Sequence, residues 1–201
     1  MPNANRPAGL APVGMLTGAP FTGKVNQYSI AAAYTTALYI GDPVISSGTT
    51  DTNGVAGIAL AAATGPIRGI IVGLSDQAFG SAGLVTNPNI TYRPAAAQSA
   101  VWYAMVVDDP DVVFEVQENS NGTALAAADI GLNTVLKLGT GNGFISGWMV
   151  ASATEATPAT TATLQVRLLG LMQRSDNAFG AYAKHRVLIN AHELRVGQVG
   201  L

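Results

Sequence analysis

The residues best able to do chemistry are carboxylates that crowd into one short stretch of the chain. Asp108, Asp109, Asp111, Glu115 and Glu118 are the densest acidic set in the sequence. Calcium takes about six to eight oxygen ligands, and a turn here could bring several carboxylates together. The stretch lacks the glycine and the spaced glutamate of an EF-hand loop, however. We therefore interpret it as an acidic turn, because aspartate is a common turn residue, and we predict no metal site.

The other reactive side chains form no recognisable catalytic group. His185 and His192 do not have the spacing of a metal-binding motif, and neither is next to a serine that could act as a nucleophile. Residues 139–143 are rich in glycine but lack the lysine and hydroxyl residue of a phosphate-binding loop. The sequence contains no cysteine. We therefore predict no catalytic residue, no cofactor and no enzymatic activity.

The chain is poor in charge. Of its 201 residues, 48% are hydrophobic and 11% are charged, and the formal net charge is −2. Soluble domains average about 25% charged residues. The composition is too apolar for a disordered chain, and it provides no overall positive field for nucleic acid or an anionic membrane. The apolar runs are shorter than the roughly 20 residues of a membrane-spanning helix. We expect no direct binding to nucleic acid and none to a membrane.

The few charges are segregated along the chain. Residues 94–136 contain six carboxylates and no lysine or arginine, whereas residues 167–201 contain five basic and two acidic side chains. Such complementary segments can pair within one chain or set the register between subunits. The sequence leaves both arrangements open.

Alternating apolar and polar residues predict many short β-strands, separated by turns rich in Gly, Pro, Asp and Asn. The predicted fold class is mainly β, an antiparallel β-sandwich or barrel with at most one or two short helices. The best candidate for a helix is the segment 123–130. We expect a single β-rich domain over 24–201, with a sub-barrel over 24–75 as a minor alternative. Strands are predicted over 25–30, 37–40, 43–46, 55–61, 67–74, 100–107, 112–118, 134–138, 144–151, 162–173, 186–190 and 192–196.

The strongest hairpin pattern joins residues 103–107 to residues 112–116 through a Pro-Asp turn. Val112, Phe114 and Val116 share one face of the second strand, and Glu115 and Gln117 share the other. The pattern predicts a buried side and a solvated side.

The sequence predicts an extended N-terminal arm over residues 1–23. Four prolines interleaved with glycines exclude a helix and a central strand. The arm also contains apolar residues that free linkers usually lack. It is expected to dock either on its own domain or on a neighbour. Deletion of residues up to Pro20 is predicted to leave the melting temperature nearly unchanged while weakening partner binding, whereas a large loss of stability would show that the arm packs on its own domain. The apolar anchors are Leu10, Val13, Met15, Leu16 and Phe21.

Several segments in a fixed order resemble the structural proteins of tailed-bacteriophage virions, and most of all their capsid decoration, or cement, proteins. Each segment alone is short, but together they extend over most of the chain. They are residues 3–10, 18–21, 40–44, 69–73, 106–110, 147–149 and 169–171.

The resemblance implies a β-rich, non-enzymatic protein on the capsid surface of a virion, made in the host cytoplasm. Its partner would be the major capsid protein. The protein would bind the outside of the capsid shell and stabilise the shell. Repeated lattice sites favour a symmetric oligomer, and we expect a homotrimer. Extended arms often take part in such contacts, which implies partner-binding roles for Asn5, Arg6, Leu10, Val13, Met15, Leu16 and Phe21.

Two other functions compete with this hypothesis. A carbohydrate-binding or adhesin-type β-sandwich of the virion is suggested by Tyr92, Trp102, Tyr103 and the acidic turn. A hydrolase on a β scaffold has support only from carboxylates without an assigned role, and function must be argued from a site.

Overall fold

A computed structural model describes residues 3–77, 89–139, 142–195 and 200. The described chain is mainly β, and most of its strands pair antiparallel, which confirms the predicted fold class. The helix expected within 123–130 is a single 3-10 turn, Ala127–Asp129. In the described ranges, no helix is long and apolar enough to span a membrane. The first strand, β1 (Ala11–Met15), lies in the N-terminal arm.

Seven strands lie between residues 26 and 107, and five of them form a closed barrel. They are β2 (Asn26–Ile30), β3 (Leu38–Tyr39), β4 (Pro43–Thr50), β5 (Ala56–Leu60), β6 (Gly69–Ser75), β7 (Tyr92–Arg93) and β8 (Trp102–Val107). Five of them close the barrel in the order β2-β5-β4-β6-β8, and β3 pairs with β7. The segment 24–75 thus supplies four strands of the barrel, and β8 supplies the fifth.

The strands after residue 111 build a sheet that also includes the arm. They are β9 (Val112–Gln117), β10 (Asn133–Thr134), β11 (Leu136–Leu138), β12 (Trp148–Val150), β13 (Val166–Leu171) and β14 (Lys184–Ile189). The sheet has five strands in the order β1-β9-β14-β13-β10, and β11 and β12 form a separate pair. The predicted strand 144–151 begins only at Trp148, and the predicted strand 162–173 is shortened to Val166–Leu171.

Two strands of the barrel serve two hydrophobic cores. Ile71 and Val106 point into the barrel interior, while their neighbours Ile70 and Val107 pack against the five-stranded sheet. Successive side chains of a strand point to opposite faces, so β6 and β8 are buried on both sides. This is why their sequences are continuous apolar runs, and it joins the barrel and the sheet through shared strands.

The predicted hairpin of residues 103–107 and 112–116 is wrong. β8 pairs with β2 and β6 in the barrel, whereas β9 pairs with β1 and β14 in the sheet. The acidic turn therefore carries the chain from the barrel to the sheet. The side of β9 expected to be solvated is also buried, since Glu115 and Gln117 are covered by other parts of the chain. The predicted core face of β9 is confirmed.

The arm docks on its own domain. β1 adds to the edge of the sheet beside β9, where Pro12 is tolerated because an edge strand needs hydrogen bonds on one side only. The register shifts between Pro12 and Gly14, so Val13 lies in a bulge and remains exposed. Leu10, immediately before β1, is part of the hydrophobic core. Removing the arm would therefore lower stability, contrary to the expectation for an arm that docks on a neighbour.

The acidic and basic segments pair within the chain. Glu115 contacts Arg174 and Lys184 at 2.5 and 3.3 Å, and Asp111 contacts Arg195 at 2.6 Å. Of the two arrangements that the sequence left open, the intramolecular pairing is the one observed.

Two leucines of the arm provide a matched test of its docking. Leu10 is 1% exposed and Leu16 is 50% exposed. Leu10→Ala is expected to lower the free energy of unfolding by about 2–5 kcal/mol because it leaves a cavity in the core. Leu16→Ala is expected to change it by less than about 1 kcal/mol. Chemical denaturation measures both values, and equal effects of the two substitutions would contradict the docked arm.

Candidate interaction site

The arm meets the barrel through backbone contacts at one junction. The Leu10 N–H donates to the Gly41 carbonyl oxygen at 2.9 Å, and the Gly41 N–H donates to the Ile71 carbonyl oxygen at 2.8 Å. The Ile71 N–H in turn donates to the Asp42 carbonyl oxygen at 3.0 Å. The junction brings together three of the segments that carry the family resemblance, residues 3–10, 40–44 and 69–73. Segments far apart in the sequence thus form one structural feature.

Two glycines make this close approach feasible. Gly9 has φ +68° and Gly41 has φ +95°, in the region that favours glycine. A Cβ atom on Gly9 would overlap the Gly41 carbonyl oxygen and the Ser146 hydroxyl. A Cβ atom on Gly41 would overlap the Ala8 carbonyl oxygen. Both positions therefore need glycine for conformation and for space.

A buried carboxylate supports the same junction. Asp42 is 2% exposed, and its Oδ2 accepts the Tyr39 N–H at 2.8 Å. Burial raises the pKa of Asp42 to about 6, while hydrogen bonds from Ser146 and the Tyr39 N–H oppose the shift. Desolvation prevails because Asp42 Oδ1 is buried with no hydrogen-bond partner in the part of the chain that the structure describes. Asp42 therefore stabilises the turn through its hydrogen bond, but its ionisation lowers the stability of the folded state.

An apolar groove opens beside the junction. It is a cavity of 360 Å³ between the arm, the barrel and the loop that precedes β12. Phe144 and Ile145 form its outer wall and are 62% and 43% exposed. The other lining residues are Ala8, Leu10, Ala11, Pro12, Ile40, Gly41, Ile71, Val72 and Thr91. A concave, mostly apolar cavity of this size is typical of binding sites.

Aromatic rings connect this groove to a second cavity. Tyr39 and Tyr92 stack with centroids 5.6 Å apart, and Phe144 meets Tyr92 edge-on at 5.9 Å. The second cavity has a volume of 330 Å³, and Tyr39, Asp42 and Leu138 contribute to its wall. The loop before β12 therefore separates two cavities, with an aromatic cluster at its base.

The structure disperses the arm residues predicted to bind a partner. Asn5 and Arg6 lie against β9, where the Gln117 side chain donates to Asn5 Oδ1 and accepts the Arg6 N–H. Leu10 is buried in its own core and is unavailable to a partner in this arrangement. The others divide into two groups: Met15 and Phe21 pack partly buried against the core, and Val13 and Leu16 are exposed.

Sequence reasoning missed the outer wall of the groove. The sequence pattern predicts a strand over residues 144–151, but residues 144 and 145 lie in the loop before β12. The Asn142 side chain caps this loop by accepting the backbone N–H groups of Phe144 and Ile145 at 3.0 Å. The available signal was the preceding Gly- and Asn-rich segment, which is typical of a longer loop.

The two histidines are both buried, at different places in the fold. His185 is fully buried beside Glu118, with Nε2 and Oε2 3.0 Å apart, and Glu118 also accepts the Leu125 N–H. Burial lowers the pKa of His192, and the nearby Arg195 adds to the effect. In the part of the chain that the structure describes, no three His, Asp or Glu side chains converge as metal ligands would.

The acidic turn is engaged by the barrel. Asp108 accepts hydrogen bonds from Asn26 at 2.8 Å and from the Tyr28 hydroxyl at 2.5 Å, and Arg68 lies 3.6 Å away. Burial raises the pKa of Tyr28 to about 12, and the Asp108 carboxylate adds to the effect. Tyr28 therefore stays protonated and holds the end of β8 in place.

A glycine comparison tests the junction. Gly9→Ala is expected to destabilise the fold by about 2 kcal/mol or more and to expose the arm to protease, since it combines backbone strain with overlap. Gly18→Ala is the control, because Gly18 also has positive φ, +87°, but no atom lies within 4 Å of its would-be Cβ. Denaturation and limited proteolysis measure both effects. An equal response at the two glycines would show that strain alone, and not contact with the barrel, governs position 9.

The carboxyl of Asp42 gives a pH test. Its pKa is about 6 in the folded protein against an ordinary value of 3.8, so the folded state holds an extra proton between these pH values. Stability is therefore expected to fall as pH rises through this window, by up to about 3 kcal/mol from this group. Asp42→Asn removes the ionisation and keeps an acceptor for the Tyr39 N–H.

The measurement is the free energy of unfolding from pH 4 to pH 7 for the wild type, Asp42→Asn and the exposed control Asp76→Asn. The wild-type value should fall relative to Asp42→Asn as pH rises and stay parallel to Asp76→Asn. Parallel curves for all three proteins would contradict the raised pKa of Asp42.

Comparison with known proteins leaves the function to be argued from the site. No protein-family model, curated protein or solved structure matches the chain. The similarity to capsid decoration proteins remains a hypothesis from short segments.

Proposed function

We propose that this protein is a non-enzymatic virion structural protein that binds the outside of a major capsid shell and stabilises it, as a decoration or cement protein does. The observation that carries the proposal is the exposed apolar surface around the groove. A protein whose role is contact needs accessible apolar area, which provides the main favourable term in association. Such surface is costly on a protein that functions alone, because it favours aggregation.

The position of the arm defines the contact residues more narrowly. Because Leu10 is buried in its own core, the arm does not contribute all of its apolar residues to a partner. The proposed contact surface consists instead of Val13 and Leu16 on the arm with Phe144 and Ile145 on the loop before β12. The docked arm and the barrel hold these side chains in place, which lowers the entropy cost of binding.

Oligomerisation fits the same role. A shell presents identical sites in a symmetric array, and a symmetric oligomer gains avidity from several weak contacts at once. We therefore retain a homotrimer as the proposed assembly. Light scattering on the purified protein tests this point, and a monomer at micromolar concentration would contradict it.

The groove gives a direct test of shell binding. Phe144→Ser is expected to weaken cosedimentation with assembled shells about tenfold or more, as loss of a buried aromatic anchor does. Leu194→Ser is the matched control, because Leu194 is 54% exposed but does not line the groove. The proposal fails if the wild-type protein does not bind shells. It also fails if virions lacking the protein withstand heat and osmotic shock as well as complete ones.

A carbohydrate-binding function is the second candidate, and one observation favours it. The stacked Tyr39 and Tyr92 with Phe144 form an aromatic cluster beside a cavity whose wall includes a carboxylate. Tyr103, one of the aromatics that first suggested this function, is buried and donates to Asp51 at 2.7 Å. A glycan array with the wild type and Tyr92→Ala, and a melting scan with and without calcium, decide the matter. No glycan bound and no shift with calcium would end this hypothesis.

A further inference from the structure

The outer face of the five-stranded sheet carries an excess of positive charge. Residues directly opposite each other in an antiparallel pair point to the same side, and β14 pairs Lys184 with Gln117 and Arg186 with Glu115. The alternate residues of β14, beginning with His185, are buried on the core side. Lys184 and Arg186 therefore lie together on the face away from the core.

Further cations reach this face from other segments. Arg174, in the loop after β13, forms a two-point contact with Glu115 at 2.5 and 3.1 Å. Lys184 contacts the same carboxylate at 3.3 Å. Arg6 of the arm is held here because its backbone N–H donates to the Gln117 side chain at 2.7 Å. The Glu115 carboxylate is thus shared by Arg174 and Lys184, and Arg6 lies nearby.

The charges on this face do not balance. Arg167 of β13 lies on the same side, because it pairs with Leu188 of β14, and its guanidinium donates to Asn133. Within the described ranges, neither Arg6 nor Arg186 takes part in an ion pair. Leaving aside Arg167, whose guanidinium is bonded within the fold, the face counts four cations against two carboxylates, a net charge of +2: Arg6, Arg174, Lys184 and Arg186 against Glu115 and Asp176.

A small polar pocket lies within this charged face. Its volume is 110 Å³, and Arg6, Arg174 and Lys184 line it together with Asp176 and Tyr182. The pocket has room for one small polar group, not for a ring or a chain of rings. The paired contact of Arg174 with Glu115 shows that these donors already suit the planar geometry of a carboxylate.

The pocket is held in shape by the polypeptide itself. Asn177 bonds the Met172 carbonyl oxygen and both the N–H and the carbonyl oxygen of Lys184, all at 2.8–2.9 Å. Asn3 makes three similar bonds across the same loop, to the backbone of residues 178 and 181. Tyr182 adopts φ +63° in this loop, a left-handed conformation that is unfavourable for a residue with a side chain. A site held in advance binds with less loss of entropy.

We propose that this face docks an acidic segment of a partner protein, with one carboxylate side chain of that segment seated in the pocket between Arg6, Arg174 and Lys184. The segment supplies the negative charge that the face lacks. A protein carboxylate is the better fit, because the Arg174 guanidinium already binds a planar carboxylate by two points and the 110 Å³ pocket admits one such group. The docking of an acidic segment rests on the proposed function only for the identity of the partner, which would be the major capsid protein.

The experiment uses the full chain and a fluorescent peptide of about eight glutamates, with a glutamine peptide and a short DNA duplex for comparison. Fluorescence anisotropy is recorded at about 25 mM and about 250 mM salt, because screening separates charge contacts from apolar ones. The variants are Arg186→Glu and the matched control Lys24→Glu. Both reverse one exposed positive charge, and Lys24 precedes β2 of the barrel and does not line the pocket. Circular dichroism and melting curves confirm that each variant is folded.

The wild type should bind the glutamate peptide at low salt, and Arg186→Glu should weaken binding about tenfold while Lys24→Glu changes it little. The glutamine peptide should not bind. Any of three results overturns the proposal: no glutamate binding at low salt, equal losses in both variants, or tighter binding of the DNA duplex. Because no shells are used, failure of shell binding and failure of this proposal remain distinguishable.

Discussion

The structure depends on a backbone contact that only two glycines allow. Where Gly9 passes Gly41, no Cβ atom fits, and the resulting hydrogen bond fixes the arm against the barrel. This contact places Leu10 in the core, aligns β1 with the edge of the sheet, and puts Ala11 and Pro12 along the groove. The positions of the proposed contact residues Val13 and Leu16 therefore follow from a steric constraint several residues away.

Shared strands turn the barrel and the sheet into one packed unit. β6 and β8 bury side chains on both faces, so the barrel interior and the sheet core are separated by a single layer of backbone. Buried polar pairs then fix the relative positions of elements, which non-directional apolar packing alone would not do. Asp108 holds the barrel at the acidic turn, and Glu118 with His185 fixes β9 to β14 inside the core. Such pairs contribute position more than net stability.

Half of the chain's carboxylates are paired inside the fold. Six of the twelve form ion pairs with basic side chains, and two surfaces of different character remain. One is apolar, around Phe144 and Ile145, and the other is positive, on the outer face of the sheet. A protein that attaches to an array can use both, since apolar contact provides affinity and charge provides orientation.

The sequence by itself determined the mainly-β class, the core face of β9 and the extended, proline-rich arm, because side-chain periodicity and proline geometry are local properties. It did not determine strand pairing: residues 103–107 and 112–116 look like a hairpin, but each strand finds partners elsewhere. The sequence did not reveal the groove or the charged face either, since Phe144 and Pro12 line one cavity, and Arg6 and Lys184 another, only after folding. Pairing and surface depend on contacts between distant segments, and only the tertiary structure decides which of these contacts bury the most apolar area and satisfy the most polar groups.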